Sequence, residues 1–174
     1  MNSIYLGLIS GTSADGVDAC AVSFDDKHQP QQHGCLTLAY DPELRQRIFA
    51  VQQHPITLDE FGELDTKIGE HFASAALQLI KTLTIDSSSI VAIGSHGQTL
   101  QHRPDCSYPY SLQLGNPSLI AERTQITTVA HFRQKDIAAG GQGAPLVPAF
   151  HHAWLGHLKN TALLNLGGIA NLSL

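Results

Sequence analysis

The sequence predicts an α/β fold, a mixed sheet with flanking helices, on three observations. Short apolar runs broken by glycine turns open the chain, long helical stretches with one apolar stripe follow, and a β-branched run ending in glycines comes after them. That alternation is the pattern of a layered α/β domain. At 174 residues the chain holds one sizeable core, or one domain and a piece of a second.

The elements follow in order. Ser3–Ser10, "SIYLGLIS", is an apolar run with no basic residues before it and no small-residue cleavage pattern, so it reads as a first strand rather than a signal peptide. "GTSADG" is turn chemistry, and "VDACAVSF" alternates as a second strand. Gly34–Tyr40 is a third strand, after which Asp41-Pro42 opens a helix through Leu44, Ile48 and Val51. In the longer helix from Thr57 to Leu83, Phe61, Leu64, Ile68, Phe72, Ala75 and Leu79 recur at three- and four-residue steps, and Thr57 and Glu60 have capping-box spacing. "IVAIGSHGQTL" is a short strand delivering a glycine-rich loop at its C-terminal end, the usual place for a site in an open α/β sheet. A strand at Tyr110–Leu114, a helix opened by Asn116-Pro117 and a strand at Ile126–Ala130 come next. "HFRQKDIAAGGQGAPLVPAFHHAWL" reads as a structured loop leading into a helix near Val147–Leu155, and the polar stretch around His157–Thr161 separates it from a last hairpin.

Composition excludes several classes. A net charge of -5 with no lysine or arginine cluster gives no footprint for nucleic acid or an anionic membrane, and no apolar run is long enough to cross a bilayer. Three widely spaced cysteines, Cys20, Cys35 and Cys106, argue against a disulfide framework and a zinc site and for a reducing, cytoplasmic compartment. His151, His152 and His157 cluster in sequence, but their spacing does not bring three imidazoles to one helix face.

Three segments carry chemistry. "SGTSADGVD" lacks the P-loop lysine, yet its glycines free the backbone, Thr12 and Ser13 add hydroxyls, and Asp15 and Asp18 are able to hold a hydrated cation; a plain hairpin turn is the alternative. "SHGQT" offers an imidazole, an amide and hydroxyls suited to a sugar or polar metabolite, or else a self-satisfied turn. In "FRQKD", Arg133 is placed to clamp a carboxylate or phosphate, against the alternative of a solvated charge run. "LLNLGGIANLSL" repeats the strand, glycine turn and strand of the N-terminus, as two related lobes gripping a nucleotide between them would.

"GLISGTSADGVD", "AIGSHGQT", "LQLGNPSLIAERT", "FRQKDIAAGGQGAPLVPAFH" and "LNLGGIANLSL", in that order from Ile4 to Leu174, resemble the anhydro-N-acetylmuramic acid kinase family of the actin, hexokinase and acetate kinase superfamily. The resemblance implies an actin-like, ribonuclease H-like first lobe over residues 1–160, and the first hairpin of a second lobe over 161–174. It implies ATP and Mg2+ as cofactors, with Gly11, Thr12, Ser13, Ala14, Asp15, Gly16, Val17, Asp18, Gly167 and Gly168 on ATP and Asp15 on the metal. His96, Gln98, Arg133, Asp136 and Gln142 are its substrate-side residues.

The implied reaction converts 1,6-anhydro-N-acetylmuramic acid, ATP and water to N-acetylmuramic acid 6-phosphate. The general-base aspartate of the family, in a D-[TC]-G-P-G-N motif, falls beyond Leu174, so the resemblance implies a fragment inactive alone. His131 stands where the family commonly has aspartate, which removes a charge partner beside Arg133. The implied partners are a small-molecule sugar and either a second copy or the remaining lobe, with neither nucleic acid nor membrane. Two other readings stand beside this one: a non-catalytic sugar- or nucleotide-binding subunit that needs a partner chain, and a generic doubly wound nucleotide-binding domain.

Overall fold

The computed structural model describes residues 3–158, 160–165 and 171–173. Strand β1 (Ile4–Ser10) pairs antiparallel with β2 (Gly16–Phe24), which pairs antiparallel with β3 (Pro30–Ala39). Helices α1 (Pro42–Gln53) and α2 (Leu58–Leu83) lead to β4 (Ile90–Arg103), then come β5 (Tyr110–Leu114), α3 (Pro117–Thr124) and β6 (Thr128–Val129). Helices α4 (Phe132–Ala138) and α5 (Val147–Leu155) precede an antiparallel pair, β7 (Leu163–Asn165) and β8 (Asn171–Ser173). The main sheet runs β3-β2-β1-β4-β5, with β6 also on β4. Because β1 and β6 are parallel to β4 while the other pairings are antiparallel, the mixed α/β sheet expected from sequence is present.

The caps anticipated from sequence form. Asp41 accepts from the Leu44 amide at 2.8 Å, and Thr57 from the Glu60 amide at 3.1 Å. The apolar stripe of α2, with Leu64, Ile68, Phe72 and Leu79 essentially unexposed, packs on one face of the sheet against Leu6, Leu8, Val17, Ala19 and Ala21. The opposite face presents Gly7, Ile9, Asp18, Cys20, Thr37 and Gly94 around a groove of about 710 Å³.

Three sequence expectations need correction. "SHGQT" is not a loop at a strand end; it lies inside the 14-residue β4, where Gly97, at φ +76°, and register shifts accommodate a change of partner. Residues 93–94 pair with β6 and residues 98–103 with β5 along one edge, so the glycines serve a bend rather than an end. The segment after Ala130 is not all loop, since Phe132–Ala138 forms α4. Finally, Cys20 and Cys35 are joined as a cross-strand disulfide, because the β2–β3 register sets them directly opposite. Sequence spacing does not reveal such a register, and the pairing removes the cysteine count as an argument for a reducing compartment. Cys106 is exposed and free. Among the described residues no helix is long and apolar enough to cross a membrane.

Helix α2 ends on Thr84 at φ 54°, ψ 39°, a left-handed C-cap that a β-branched residue occupies only under strain. Thr84→Gly is expected to raise stability by about 0.5–1 kcal/mol, the relief of strain exceeding the added freedom of the unfolded chain, as measured by urea unfolding.

Candidate functional site

The turn between β1 and β2 is held from three sides. Ala14, buried at φ 46°, closes it with a backbone bond to the Gly11 carbonyl at 3.1 Å. From α1, Arg45 donates to the Ala14 and Ser13 carbonyls at 3.1 and 3.2 Å and pairs with Asp15 at 2.8 Å. From β4, the amide nitrogen of Gln98 donates to the Gly11 carbonyl at 3.1 Å. Ser10 Oγ lies 2.6 Å from Gln98 Oε1 and 2.7 Å from the Gly16 carbonyl, so its one proton serves two acceptors. The neighbouring Tyr40 is buried, which pushes its phenol up to about 12 and keeps it protonated. A Cβ at Gly16 would collide with the Leu38 carbonyl, so only glycine brings β2 this close to β3 here.

What the turn exposes is chemically distinct from what it buries. Gly11, Thr12, Ser13 and Asp15 are solvent-exposed, and a Cβ built at Gly11 would meet nothing nearer than Ser13 Oγ at 3.9 Å. Open approach to backbone amides, two hydroxyls and an exposed carboxylate suit a phosphate chain and a hydrated cation. Asp15 shares that carboxylate with Arg45, and Asp18 accepts from Thr37 at 2.6 Å on the open sheet face. Val17 is buried in the core.

Across β4 lies a second cluster. Arg133 on α4 donates from Nε to His96 Nε2 at 2.8 Å and from Nη1 to the Gly143 carbonyl at 2.7 Å. Since an arginine nitrogen only donates, His96 Nε2 is an acceptor, and Nδ1 carries the proton given to the Gly97 carbonyl at 2.9 Å. Burial, with the Arg133 charge adding to it, holds His96 below the ordinary histidine value; the Gly97 bond opposes them. Burial also draws Arg133 down from its usual value. Asp136 accepts from the Gly143 amide at 2.7 Å, and a Cβ at Gly141 would collide with its carboxylate, so Asp136 shapes the glycine loop.

A cavity of about 300 Å³ adjoins this cluster, lined in part by Asp65, Ser95, His96, Asn116, His131 and Gln134. Ser95 Oγ and Gln134 Oε1 are buried without hydrogen-bond partners, the condition that a bound water or ligand relieves.

The anticipated site residues that the structure describes fall as follows. His96, Arg133 and Asp136 come together, Gln98 is fully buried behind the turn, and Gln142 is exposed in the glycine loop. Gly167 and Gly168 lie outside the described residues. His131 is the left-handed N-cap of α4 without a side-chain bond, and Arg133 is anchored by His96 and Gly143 instead of by a carboxylate there. Ser10, Tyr40 and Arg45 were not anticipated; nothing local to them signals that distant strands and α1 bring them to the turn.

The fold is an α/β domain with a mixed sheet and flanking helices, in which β4 meets the glycine turn through Gln98 and the histidine-arginine cluster through His96. The sequence model of the anhydro-N-acetylmuramic acid kinase family matches residues 3–174. The anhydro-N-acetylmuramic acid kinase of Xanthomonas axonopodis pv. citri is 52% identical over 176 residues, spanning 98% of this chain and 47% of that protein. Those of Xylella fastidiosa and Aliivibrio fischeri are 51% and 49% identical, each spanning 98% of this chain and 46% and 47% of their own length. A Thermus thermophilus RuvC structure aligns at a TM-score of 0.39 and 13% identity over 91% of this chain and 82% of that one, too distant to bear on fold or function. The chain belongs to the anhydro-N-acetylmuramic acid kinase family and spans about half the length of these relatives.

The His96 geometry sets a pH dependence. A histidine held below its unfolded value leaves stability complete above about pH 6.5 and loses it as pH falls through the folded value, because the unfolded chain binds the proton more readily. The His96 ring resonances are expected to titrate below about 6.5 by NMR, and His96→Asn to flatten the acid-side fall in unfolding free energy.

Proposed function

We propose that this chain is the first lobe of an ATP-dependent sugar kinase of actin-like fold, with residues 1–160 forming the lobe and residues 161–174 opening a second one. The substrate is 1,6-anhydro-N-acetylmuramic acid. The observation that carries the reading is the exposed glycine turn tethered through Gln98 to the strand that bears His96.

In this reading the amides and hydroxyls from Gly11 to Gly16 hold the nucleotide phosphates, Asp15 orients Mg2+ through water, and Gly167 and Gly168 also serve the nucleotide. Bound there, ATP supplies the phosphoryl group and Mg2+ offsets its charge. Water adds to the anomeric carbon, the bond from that carbon to O6 breaks, and O6 takes the phosphoryl group, giving N-acetylmuramic acid 6-phosphate and ADP. The proton of the water goes to a general base in the part of the relatives' length that this chain does not span. Arg133, held in place by His96, binds and orients the sugar, Gln142 reaches it from the loop, and Asp136 and Gln98 act by shaping the surfaces around them. The reading places the protein in the cytoplasm.

A partner-dependent variant, in which the chain binds sugar or nucleotide without turnover, is favoured by the exposure of Leu164 and Leu172 on the terminal hairpin and of Phe150 and Trp154 on α5. The partner is then a second copy or a second lobe.

The test is an ATP-coupled assay with the anhydrosugar, run on the chain alone and together with the C-terminal half of the Xanthomonas relative as a separate polypeptide. Turnover is expected only from the mixture, and Asp15→Asn is expected to lower it by about 10²-fold or more. A mixture that stays inactive while the intact relative turns over would count against the reading, as would an Asp15→Asn mixture as fast as the parent.

A further inference from the structure

Arg133 is half-buried, yet none of the ion pairs among the described residues includes it: Asp136, three residues along the same helix, is committed to the Gly143 amide. Its Nε and Nη1 are taken by His96 and the Gly143 carbonyl, and neither partner carries negative charge. A partly desolvated guanidinium held by two neutral acceptors is a cation whose charge is unanswered, and the group that answers it is an oxyanion.

The orientation of that cation depends on one lone pair. His96 Nε2 accepts from Arg133 only while the imidazole is neutral, and the Gly97 carbonyl fixes the proton on Nδ1. We infer that His96 is a positioning residue, which in its neutral form aims Arg133 at an oxyanion group of the ligand and on protonation releases it. The inference rests on the proposed function in taking that oxyanion to be the carboxylate of an acidic sugar or a nucleotide phosphate, the two sources of one chemistry.

Protonation replaces an acceptor by a second donor beside a guanidinium, so the bond breaks and the two cations repel. The charged and titratable groups around the imidazole do not supply an alternative anchor. Asp18, which borders the open-face groove with His96, is bonded to Thr37, and Asp65, which borders the smaller cavity, accepts from the Gly115 amide. His131 on the same cavity adds no negative charge, and Asp136 is held by Gly143. The sign of the outcome is what separates this role from simple electrostatics. A histidine that acted only through its charge would strengthen anion binding on acidification; a histidine that positions Arg133 weakens it.

The experiment follows the Arg133 Nε–H resonance of the 174-residue chain. It is titrated with N-acetylmuramic acid, with N-acetylglucosamine as its counterpart without the carboxylate, and with inorganic sulfate as a phosphate surrogate of constant charge. Titrations are made on both sides of the His96 protonation midpoint read from its ring resonances. The expected result is a saturable shift with the acid sugar or sulfate, none with N-acetylglucosamine, and an affinity at least about threefold weaker on the acid side. His96→Asn, which retains an acceptor, keeps the affinity and loses the pH dependence, whereas His96→Leu weakens binding at both pH values. A response to the acid sugar assigns the carboxylate, and a response to sulfate alone assigns the nucleotide. Affinity that rises or stays level on acidification, a His96→Leu variant that binds as the parent does, or no saturable shift with either anion would overturn the inference. No turnover is read, so an inactive kinase assay leaves this result standing and a failed titration leaves the assay to be judged separately.

Discussion

Gln98 has no solvent to turn to, and its amide is spent on the backbone around the glycine turn. Its nitrogen reaches the Gly11 carbonyl, and its oxygen accepts from Ser10, which also faces the Gly16 carbonyl. Buried polar groups must be paired, and here the pairing joins two strands 87 residues apart in sequence. The turn is thereby given a fixed shape by the strand that also carries His96. Arg45 braces the same turn from outside, at a surface where such a pair is worth little by itself, so the buried tether is the stronger determinant.

The parallel pairing of β4 with β1 is what brings that tether into reach, since it sets Gln98 beside Ser10 at the approach to the turn. Along its other edge β4 passes from β6 to β5 around Gly97. His96 and Gln98 sit either side of Gly97, at the bend. Their chemistries diverge accordingly: Gln98 is sealed behind the turn, while His96 borders both cavities and holds Arg133. The glycine turn and the Arg133 cluster are thus linked through three consecutive residues of one strand.

Much of this was legible in the sequence and some of it could not be. The periodicity of α2, the caps at Asp41 and Thr57, and the strand-turn-strand opening depend on residues within a few positions of one another, and they appear as read. His96 and Arg133, 37 residues apart, were put on one list by motif resemblance and not by spacing, and their contact is visible only in the fold. Register is not local. The Cys20–Cys35 bond, the roles of Ser10 and Arg45, and the burial of Gln98 follow from which strand lies beside which, and no spacing reports that. "SHGQT" misled for a related reason: glycines inside a strand that bends look the same in sequence as glycines in a loop.

The claim on which the rest turns is that Gln98 shapes the turn, and hydrogen exchange of the Gln98→Leu variant tests it most directly. The Ala14 amide bonds to Gly11 and the Tyr40 amide to Asp15, so both report on the turn, while Ala21 and Gly34 report on the same strands farther away. The account predicts exchange at Ala14 and Tyr40 faster by about tenfold or more, with Ala21 and Gly34 little changed, as expected when the Gly11 carbonyl and the Ser10 hydroxyl each lose one of two partners. Unchanged exchange at the turn, or an equal acceleration at all four amides, would contradict it.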